Sequence, residues 1–374
     1  MVLDFAALGR RIADARKRSG LTQDGLSAAV TGLDRTAIAK IETGGRRVTA
    51  LELADIAEAL NVRLEWFLTD GPPSIVAYRN MSEPGQASAP LDAAIECRVR
   101  EVEFVADHDR QFRDSLVELP SFAVPRDLDA AERLGGKARA LLKVGQAEPL
   151  YDLHERLAGA GVVPFVVESG LDAADAASAS LQSGAVVVVN GSLKVGRRRL
   201  ALAHELGHLL VADGYTVDRQ VDALQSDHKE RAMDRFARAL LLPKAALRER
   251  WLTWGGGEPD SLREAAVRTA SHFRVDMATL ARRLLDIGLL DGESAEFVRE
   301  TRTGKADFYE YNLLSKDEFA SGDLPKEYVT AVLRLFKAEI VSEARALDLL
   351  FGTWEAADLP EPSCTARHFL ETAH

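Results

Sequence analysis

The strongest constraint on the fold of this 374-residue chain is a pair of histidines four residues apart, His204-Glu205-Leu206-Gly207-His208. At the helical period both histidines lie on one face, where they can bind one zinc ion. Glu205, one residue on, then lies beside the metal, where its carboxylate can take a proton from bound water. A chance pattern would leave two imidazoles and a carboxylate without partners among apolar residues, which is costly if they are buried. The sequence therefore predicts a helix with two zinc ligands and a general base.

A catalytic zinc site needs a third protein ligand and an open fourth position. The downstream candidates are Asp222, Asp227, His228, Glu230 and Asp234. On a helix over 229–242, Glu230 falls on the inward stripe with Met233 and Ala237, whereas His228 lies about 200° round and faces outward. We expect Glu230 as the third ligand, with His228 as the runner-up. Asp234 would accept the second ring N–H of a liganding histidine.

The chain is longer than the roughly 250 to 300 residues at which single hydrophobic cores stop growing, so several domains are expected. Stretches rich in Gly, Pro and small polar residues at 69–73 and 81–90 predict linkers. We predict four parts: an N-terminal helical domain at 1–70, a linker and long helical arm at 71–125, the zinc domain at 126–300 and a helical module at 301–374.

Composition narrows the class of protein further. The chain is 47% hydrophobic and 28% charged, which is typical of globular proteins, and no apolar run is long enough for a membrane span. The first residues lack the basic-then-apolar order of a signal peptide, so a cytoplasmic protein without membrane contact is expected. Cys97 and Cys364 are too few and too far apart for a disulfide scaffold.

The middle of the chain predicts an α+β fold that is mainly helical. β-branched runs at 162–167 and 185–189 predict strands, with a further short strand at 74–79, and helices are expected at 126–142 and 148–158. If the strand at 185–189 lies at an exposed sheet edge, it can hold a substrate backbone as an added strand. The stretch 91–116 predicts a long helix, either an arm packed on another part of the chain or an oligomer contact.

Charge is distributed unevenly along the chain. The net charge is −11, but residues 1–48 hold nine basic and five acidic groups and are therefore +4, leaving −15 for the rest. A surface that binds DNA must neutralise phosphates with Lys and Arg. Any contact with nucleic acid should therefore be confined to roughly the first fifty residues.

Helical spacing between Phe5 and Leu68 predicts about five short helices, with Thr22 and Asp34 as N-caps of the second and third. These two helices resemble those of the Xre/Cro-type helix-turn-helix family, from Leu21-Thr22-Gln23 through Asp34-Arg35-Thr36 to Ile41-Glu42-Thr43-Gly44, although the turn at 31–33 is one residue longer than usual. The resemblance implies a double-stranded DNA operator, with a homodimer or a partner that supplies a second module. It places Arg35 and Thr36 at base edges and four side chains on phosphates: Gln23, Lys40, Arg46 and Arg47. The alternative is a protein-interaction module with solvated charges.

Residues from about 130 to 290 resemble the ImmA/IrrE peptidase family. The resemblance rests on a Val-rich strand, then Leu-Ala-His-Glu-Leu-Gly-His at 202–208, then Glu230-x-x-x-Asp234-x-Phe236-Ala237 and Leu-Leu-Leu-Pro at 240–243. It implies a zincin-like (gluzincin) domain with one zinc ion that cleaves a protein substrate, commonly a transcriptional repressor. The sequence departs from the family pattern at Met233, where the family often has alanine.

Three functions are compatible with these observations. The first is a DNA-bound regulator whose zinc endopeptidase cleaves a regulatory protein. The second is an antitoxin that neutralises a co-encoded, nuclease-type toxin and represses their shared promoter, and the third is a ligand-sensing transcription factor with an inactive peptidase fold.

The role of two further parts of the chain stays open. Candidates for stabilising an oxyanion are Tyr215, His228 and His272. The C-terminal module is expected either to dock on the peptidase domain or to contact a partner.

Overall fold

The computed structural model describes residues 4–18, 21–30, 32–60, 67, 77–80, 89–170, 173–211, 223–313, 318, 320 and 322–361. The fold is mainly helical with one small sheet, as the sequence predicts. Within the described residues, no helix combines the length and the apolar character needed to cross a bilayer.

The described residues of the N-terminal part form four short helices, α1 (Phe5–Arg18), α2 (Gln23–Ala29), α3 (Arg35–Glu42) and α4 (Ala50–Ala59). The predicted caps are present: Thr22 Oγ1 accepts the Gly25 N–H at 3.0 Å, and Asp34 Oδ1 accepts the Ala37 N–H at 2.6 Å. Each cap satisfies a donor that the helix itself leaves unpaired, which sets where α2 and α3 begin. Most of the predicted fifth helix lies outside the described residues, but Phe67 is helical and fully buried.

One mixed sheet organises the rest of the chain. Its strands are β1 (Ala77–Asn80), β2 (Val162–Val167), β3 (Ala176–Ser180) and β4 (Ala185–Asn190), in the spatial order β1-β3-β4-β2. Strand β3 is antiparallel to both of its neighbours, whereas β2 and β4 are parallel. Strand β4 is therefore interior, so the condition under which residues 185–189 could hold a substrate backbone as an added strand is not met.

Helices α5 (Ala89–His108) and α6 (Arg110–Ser115) cover one face of the sheet together with two C-terminal helices, α16 (Lys326–Lys337) and α17 (Glu343–Leu349). The apolar side of the predicted arm is thus buried within the same chain. Ion pairs add to this packing: Arg334 binds Asp109 at 2.7 and 2.8 Å, and Arg345 binds Glu101 at 2.5 Å. The C-terminal helices therefore dock on the body of the molecule.

The opposite face of the sheet packs on the helices that carry the predicted zinc ligands. The main ones are α7 (Leu128–Leu141), α9 (Val195–Leu210) and α10 (Ala223–Leu241). They are followed by α11 (Lys244–Thr253), α12 (Leu262–Phe273), α13 (Met277–Asp286), α14 (Gly292–Glu300) and α15 (Lys305–Glu310), and short α8 (Leu153–Ala158) precedes β2. Alternation along the strands sends Ala176, Val187 and Val189 to this side and Ala177 and Val188 to the other.

Three elements differ from the sequence expectations. The helix predicted over 91–116 is broken at Asp109, whose carboxylate accepts the Phe112 N–H at 2.7 Å and starts a new helix. The helix predicted over 148–158 begins only at Leu153, because Asp152 has a left-handed backbone with φ 51°. Strand β3 was not expected, since its sequence Ala-Ala-Ser-Ala-Ser lacks the β-branched and aromatic residues that favour strands.

Candidate functional site

His204 and His208 lie one turn apart on α9, in a segment where every side chain is buried. Their Nε2 atoms are 3.0 Å apart, so both ring nitrogens point to the same place. The rings are tilted by 59° with their centroids 4.8 Å apart, which is not the geometry of stacking. The helix therefore presents two nitrogen ligands to one point, as the four-residue spacing predicts.

Glu230, on the neighbouring helix α10, supplies an oxygen at the same point. Its Oε2 lies 3.2 Å from His204 Nε2 and 3.4 Å from His208 Nε2. A tetrahedral zinc ion with ligand bonds of about 2.0–2.2 Å keeps its ligands about 3.3–3.5 Å apart. Within the described part of the chain, these three residues are the group whose ligand atoms are close enough to hold one metal ion. Two imidazoles and a carboxylate at these distances fit zinc.

Asp234 holds the ring of His204 from the other side. One turn after Glu230, its Oδ1 accepts the His204 Nδ1–H at 2.9 Å. We call the place where the ligand atoms of His204, His208 and Glu230 converge the metal point. The hydrogen bond with Asp234 sets the tautomer of His204 that leaves Nε2 free to face it. Asp234 therefore lies where the sequence expected the outer partner of a liganding histidine.

The charges at the site are strongly coupled. Burial opposes a charged ring at His204, but hydrogen bonds to Asp234 and Glu230 raise its pKa to about 9. Burial would likewise raise the pKa values of Glu230 and Asp234, yet their hydrogen bonds to the histidines lower both. The two carboxylates thus stabilise a positive charge between the side chains. A proton and a metal cation therefore compete for the same position.

Glu205 is fully buried on α9 and contacts strand β3. Its Oε2 accepts a hydrogen bond of 2.5 Å from the hydroxyl of Ser178, which is 3% exposed. Ser178 was not predicted as a site residue, because β3 was not predicted as a strand and a serine among alanines carries no motif. The available signal was a pair of serines, Ser178 and Ser180, in a run of small residues ahead of a Val-rich strand.

Gly207 lets helices α9 and α10 approach each other closely. A Cβ at this position would lie 2.7 Å from Phe236 Cδ1 and 3.0 Å from Met233 Sδ. The close neighbours are thus side chains of α10. Met233, at the position where the sequence departs from the family pattern, is completely buried beside the histidine helix.

His228 and His272, the other candidates that the structure describes, are not part of the group that could hold a metal ion. His228 is exposed at the surface of α10, as its helical position indicated. His272 packs edge-on against Trp254 and Phe273, and burial together with Arg250 lowers its pKa. Asp222, Tyr215 and the side chain of Asp227 lie outside the described residues.

Helix α3 presents the residues that the sequence assigned to DNA bases. Arg35 and Thr36 occupy its first turn and are exposed, and Lys40 follows on the exposed side of the last turn. Arg35 lies 3.7 Å from Asp24 at the surface, a loose pair that leaves 65% of the arginine side chain exposed. Arg47 is exposed too, with its guanidinium 5.1 Å from the centre of the Phe5 ring. These four side chains are available to a ligand.

Gln23 and Arg46, which were predicted to hold phosphates, have partners inside the domain. The Gln23 amide donates to Glu42 at 2.8 Å, and the same carboxylate binds Arg16 at 2.6 Å. Arg46 pairs with Glu52 at 2.6 Å. The Gln23 bond joins the start of α2 to the end of α3, and the Arg46 pair joins the preceding loop to the first turn of α4, so any phosphate contact would share these side chains.

Comparison with known families agrees with the description of the N-terminal helices and of the domain that carries the metal point. Residues 12–67 match the family model described as helix-turn-helix, and residues 164–285 match the peptidase family model described as IrrE N-terminal-like domain. The chain joins a helix-turn-helix domain to an IrrE N-terminal-like domain. It is thus a DNA-binding transcriptional regulator with a domain of a metallopeptidase family. A comparison with curated proteins finds no match.

The IrrE N-terminal-like match covers the whole of the described metal point. It begins at Pro164 in β2 and ends at Leu285 in α13, so it includes β3, α9 and α10. The match to the helix-turn-helix model ends at Phe67. The segments that lie outside both matches include α5, α6 and the C-terminal helices α16 and α17.

Proposed function

We propose that this chain is a zinc-dependent endopeptidase that cleaves a regulatory protein such as a repressor, and that its helix-turn-helix domain brings it to an operator. The supporting observation is the convergence of His204, His208 and Glu230, with atoms 3.0–3.4 Å apart and Glu205 on the same helix. Three protein ligands leave one position of a tetrahedral ion open, which is the arrangement of catalytic rather than structural zinc.

A zinc ion in this set would polarise a peptide carbonyl and make a water molecule more acidic. In this proposal, Glu205 takes the proton of the attacking water and later gives it to the leaving amine. Asp234 keeps the imidazole of His204 oriented through the bond to Nδ1. Burial of both histidines and of Glu205 restricts bulk water around these groups.

The presence of a DNA-binding domain on the same chain supports a substrate that is itself a regulatory protein. A DNA-binding domain on the same chain raises the local concentration of the peptidase around proteins bound at the same operator. The −15 charge outside residues 1–48 disfavours wrapping of DNA around the peptidase domain, so the operator contact belongs to α3. Domains of this kind commonly recognise paired half-sites, and we propose a homodimer on such an operator.

Glu205→Gln tests the enzymatic part of the proposal. The amide has nearly the same shape as the carboxylate but cannot act as a base, so cleavage should fall by about 10² to 10⁴-fold while zinc remains bound. We would express the wild type, Glu205→Gln or the control variant Glu249→Gln in cells of the organism from which the protein comes, here called source cells. Mass spectrometry would then compare the new protein N-termini in the three sets of cells. Glu249 is an exposed carboxylate on α11 and should leave cleavage unchanged.

New N-termini that depend on Glu205 and map to a DNA-binding or regulatory protein would support the proposal. If the Glu205→Gln cells show the same N-termini and the same gene expression as wild type, the endopeptidase proposal is wrong. Stable co-purification with a co-encoded nuclease would then indicate the antitoxin function, and ligand-dependent operator release would indicate a sensor.

A further inference from the structure

We propose that Ser178 is the positioning residue for Glu205, holding one carboxylate oxygen so that the other is free to act as the base. The inference rests on the proposed function, because it assigns a role to the same carboxylate. The observation behind it is the 2.5 Å hydrogen bond from the Ser178 hydroxyl on a strand to Glu205 Oε2 on a helix, two residues that are 27 positions apart in sequence.

The two oxygens of Glu205 have different surroundings. Oε2 accepts the hydroxyl of Ser178, whereas Oε1 is buried and makes no hydrogen bond within the described part of the chain. A carboxylate that served only structure would be expected to have both oxygens satisfied, since an unpaired buried acceptor is costly. The arrangement leaves Oε1 as the oxygen for the attacking water.

Strand β3 aims Ser178 at this carboxylate. Alternation places Ala176 and Ser178 on the face toward α9, and Ala177 and Ala179 on the face toward α5. Strands β1 and β4 flank β3 on both sides and fix its register, with Ser178 opposite Val187 of β4. A hydroxyl on a hydrogen-bonded strand is a more rigid support than one on a loop.

The chemistry needs such a support. A glutamate side chain on a helix has several rotatable bonds, and a general base must be held within about 2.6–3.2 Å of the proton that it takes. A hydroxyl bonded to an ionised carboxylate forms a short, charge-assisted bond, which fixes the carboxyl plane. Ser178 therefore restricts the orientation of Glu205 without touching the metal point.

The test compares Ser178→Ala, which removes the hydroxyl, with Ser178→Thr, which keeps it. Ser180→Ala is the matched control, because Ser180 lies two residues along the same strand and on the same face. The substrate is the protein whose cleavage depends on Glu205 in source cells. For each variant we would measure kcat, KM, zinc content and Tm.

We expect Ser178→Ala to lower kcat about tenfold to a hundredfold, with KM and zinc content within about twofold of wild type. Ser178→Thr should restore kcat to within about threefold, and Ser180→Ala should leave it unchanged. A purely structural serine would instead lower the zinc content and change KM together with kcat. Wild-type kcat in Ser178→Ala, or a loss of kcat that only follows the loss of zinc, would overturn the inference.

A second measurement separates this inference from the proposed function. In a double-mutant cycle of Ser178→Ala and Glu205→Gln, the changes in Tm should be clearly non-additive, because the two side chains share one bond. Additive changes would overturn the positioning role even in an active enzyme. Non-additive changes in a chain without any Glu205-dependent cleavage would overturn the proposed function and, with it, a catalytic role for this contact.

Discussion

Asp234 of α10 and His204 of α9 are joined by a hydrogen bond of 2.9 Å between Oδ1 and Nδ1. The bond fixes the imidazole with its other nitrogen toward His208 and Glu230. It also links the two helices that carry the candidate ligands, since Glu230 lies one turn before Asp234 on the same helix. The stability of the metal point therefore depends on a residue that does not itself lie at it.

Asp234→Asn should weaken zinc binding without abolishing it. The loss of the carboxylate partner lowers the basicity and the order of the His204 ring, and changes of this kind typically cost about 10 to 100-fold in metal affinity. Competition with a zinc-binding dye measures the affinity. Asp114→Asn, at a mostly exposed carboxylate on α6, is the control and should keep wild-type affinity. Equal affinities in the two variants would contradict the role of Asp234.

Gly207→Ala should destabilise the protein and disturb the metal point together. The added methyl would lie 2.7 Å from the ring of Phe236, which is completely buried and cannot move aside. Overpacking of this kind costs about 1–3 kcal/mol, and a shift of α9 away from α10 would separate the histidines from Glu230. Urea unfolding and the dye competition test both effects. Gly292→Ala, at a glycine with open space around it, should change neither.

Arg35→Ala and Lys40→Ala should affect DNA binding in different ways. If Arg35 reads a base, its loss should cost about 1–3 kcal/mol and relax the sequence preference at one position. If Lys40 holds a phosphate, its loss should weaken binding to all sequences and reduce the salt slope by about one. An operator selected from random DNA, titrated at several salt concentrations, distinguishes the two. The same salt slope for Lys40→Ala and wild type would exclude the phosphate contact.

Asp109→Asn tests the docking of the C-terminal helices. Asparagine can still cap α6, but it loses the paired charge of Arg334, so the free energy of unfolding should fall by about 1–3 kcal/mol. The bonds to Arg334 lower the pKa of Asp109. A lowered folded-state pKa means stability that is present above the unfolded value of about 4 and lost as the pH falls through the folded value. The difference between variant and wild type in urea unfolding should therefore shrink on acidification; a pH-independent difference would contradict this account.

The spacing of residues predicted the parts of the site that lie along single helices. His204 and His208 share a face because they are four apart, and Glu230 turns inward because it lies on the stripe of Met233 and Ala237. The caps at Thr22 and Asp34 were predictable for a similar reason, since an N-cap is a local interaction. Most of the helices were thus predictable from the local spacing of residues.

The remaining features depend on contacts between distant segments. The contact of Ser178 with Glu205 spans 27 residues and lies on a strand of alanines and serines, whose strand preference comes from pairing with β1 and β4 and not from its own residues. The interior place of β4 follows from the same unrecognised strand. Asp109 ends one helix and caps the next. The ion pair with Arg334, which lies 225 residues away in sequence, stabilises this break between the helices.

Metal analysis of the purified protein tests the central claim most directly. By plasma mass spectrometry, the wild type and Glu205→Gln should each contain about one zinc ion per chain, because Glu205 is not among the residues whose ligand atoms converge. Glu230→Ala should lose this zinc after dialysis while its helical circular dichroism stays unchanged. No stoichiometric zinc in the wild type, or unchanged zinc in Glu230→Ala, would contradict the account of the site.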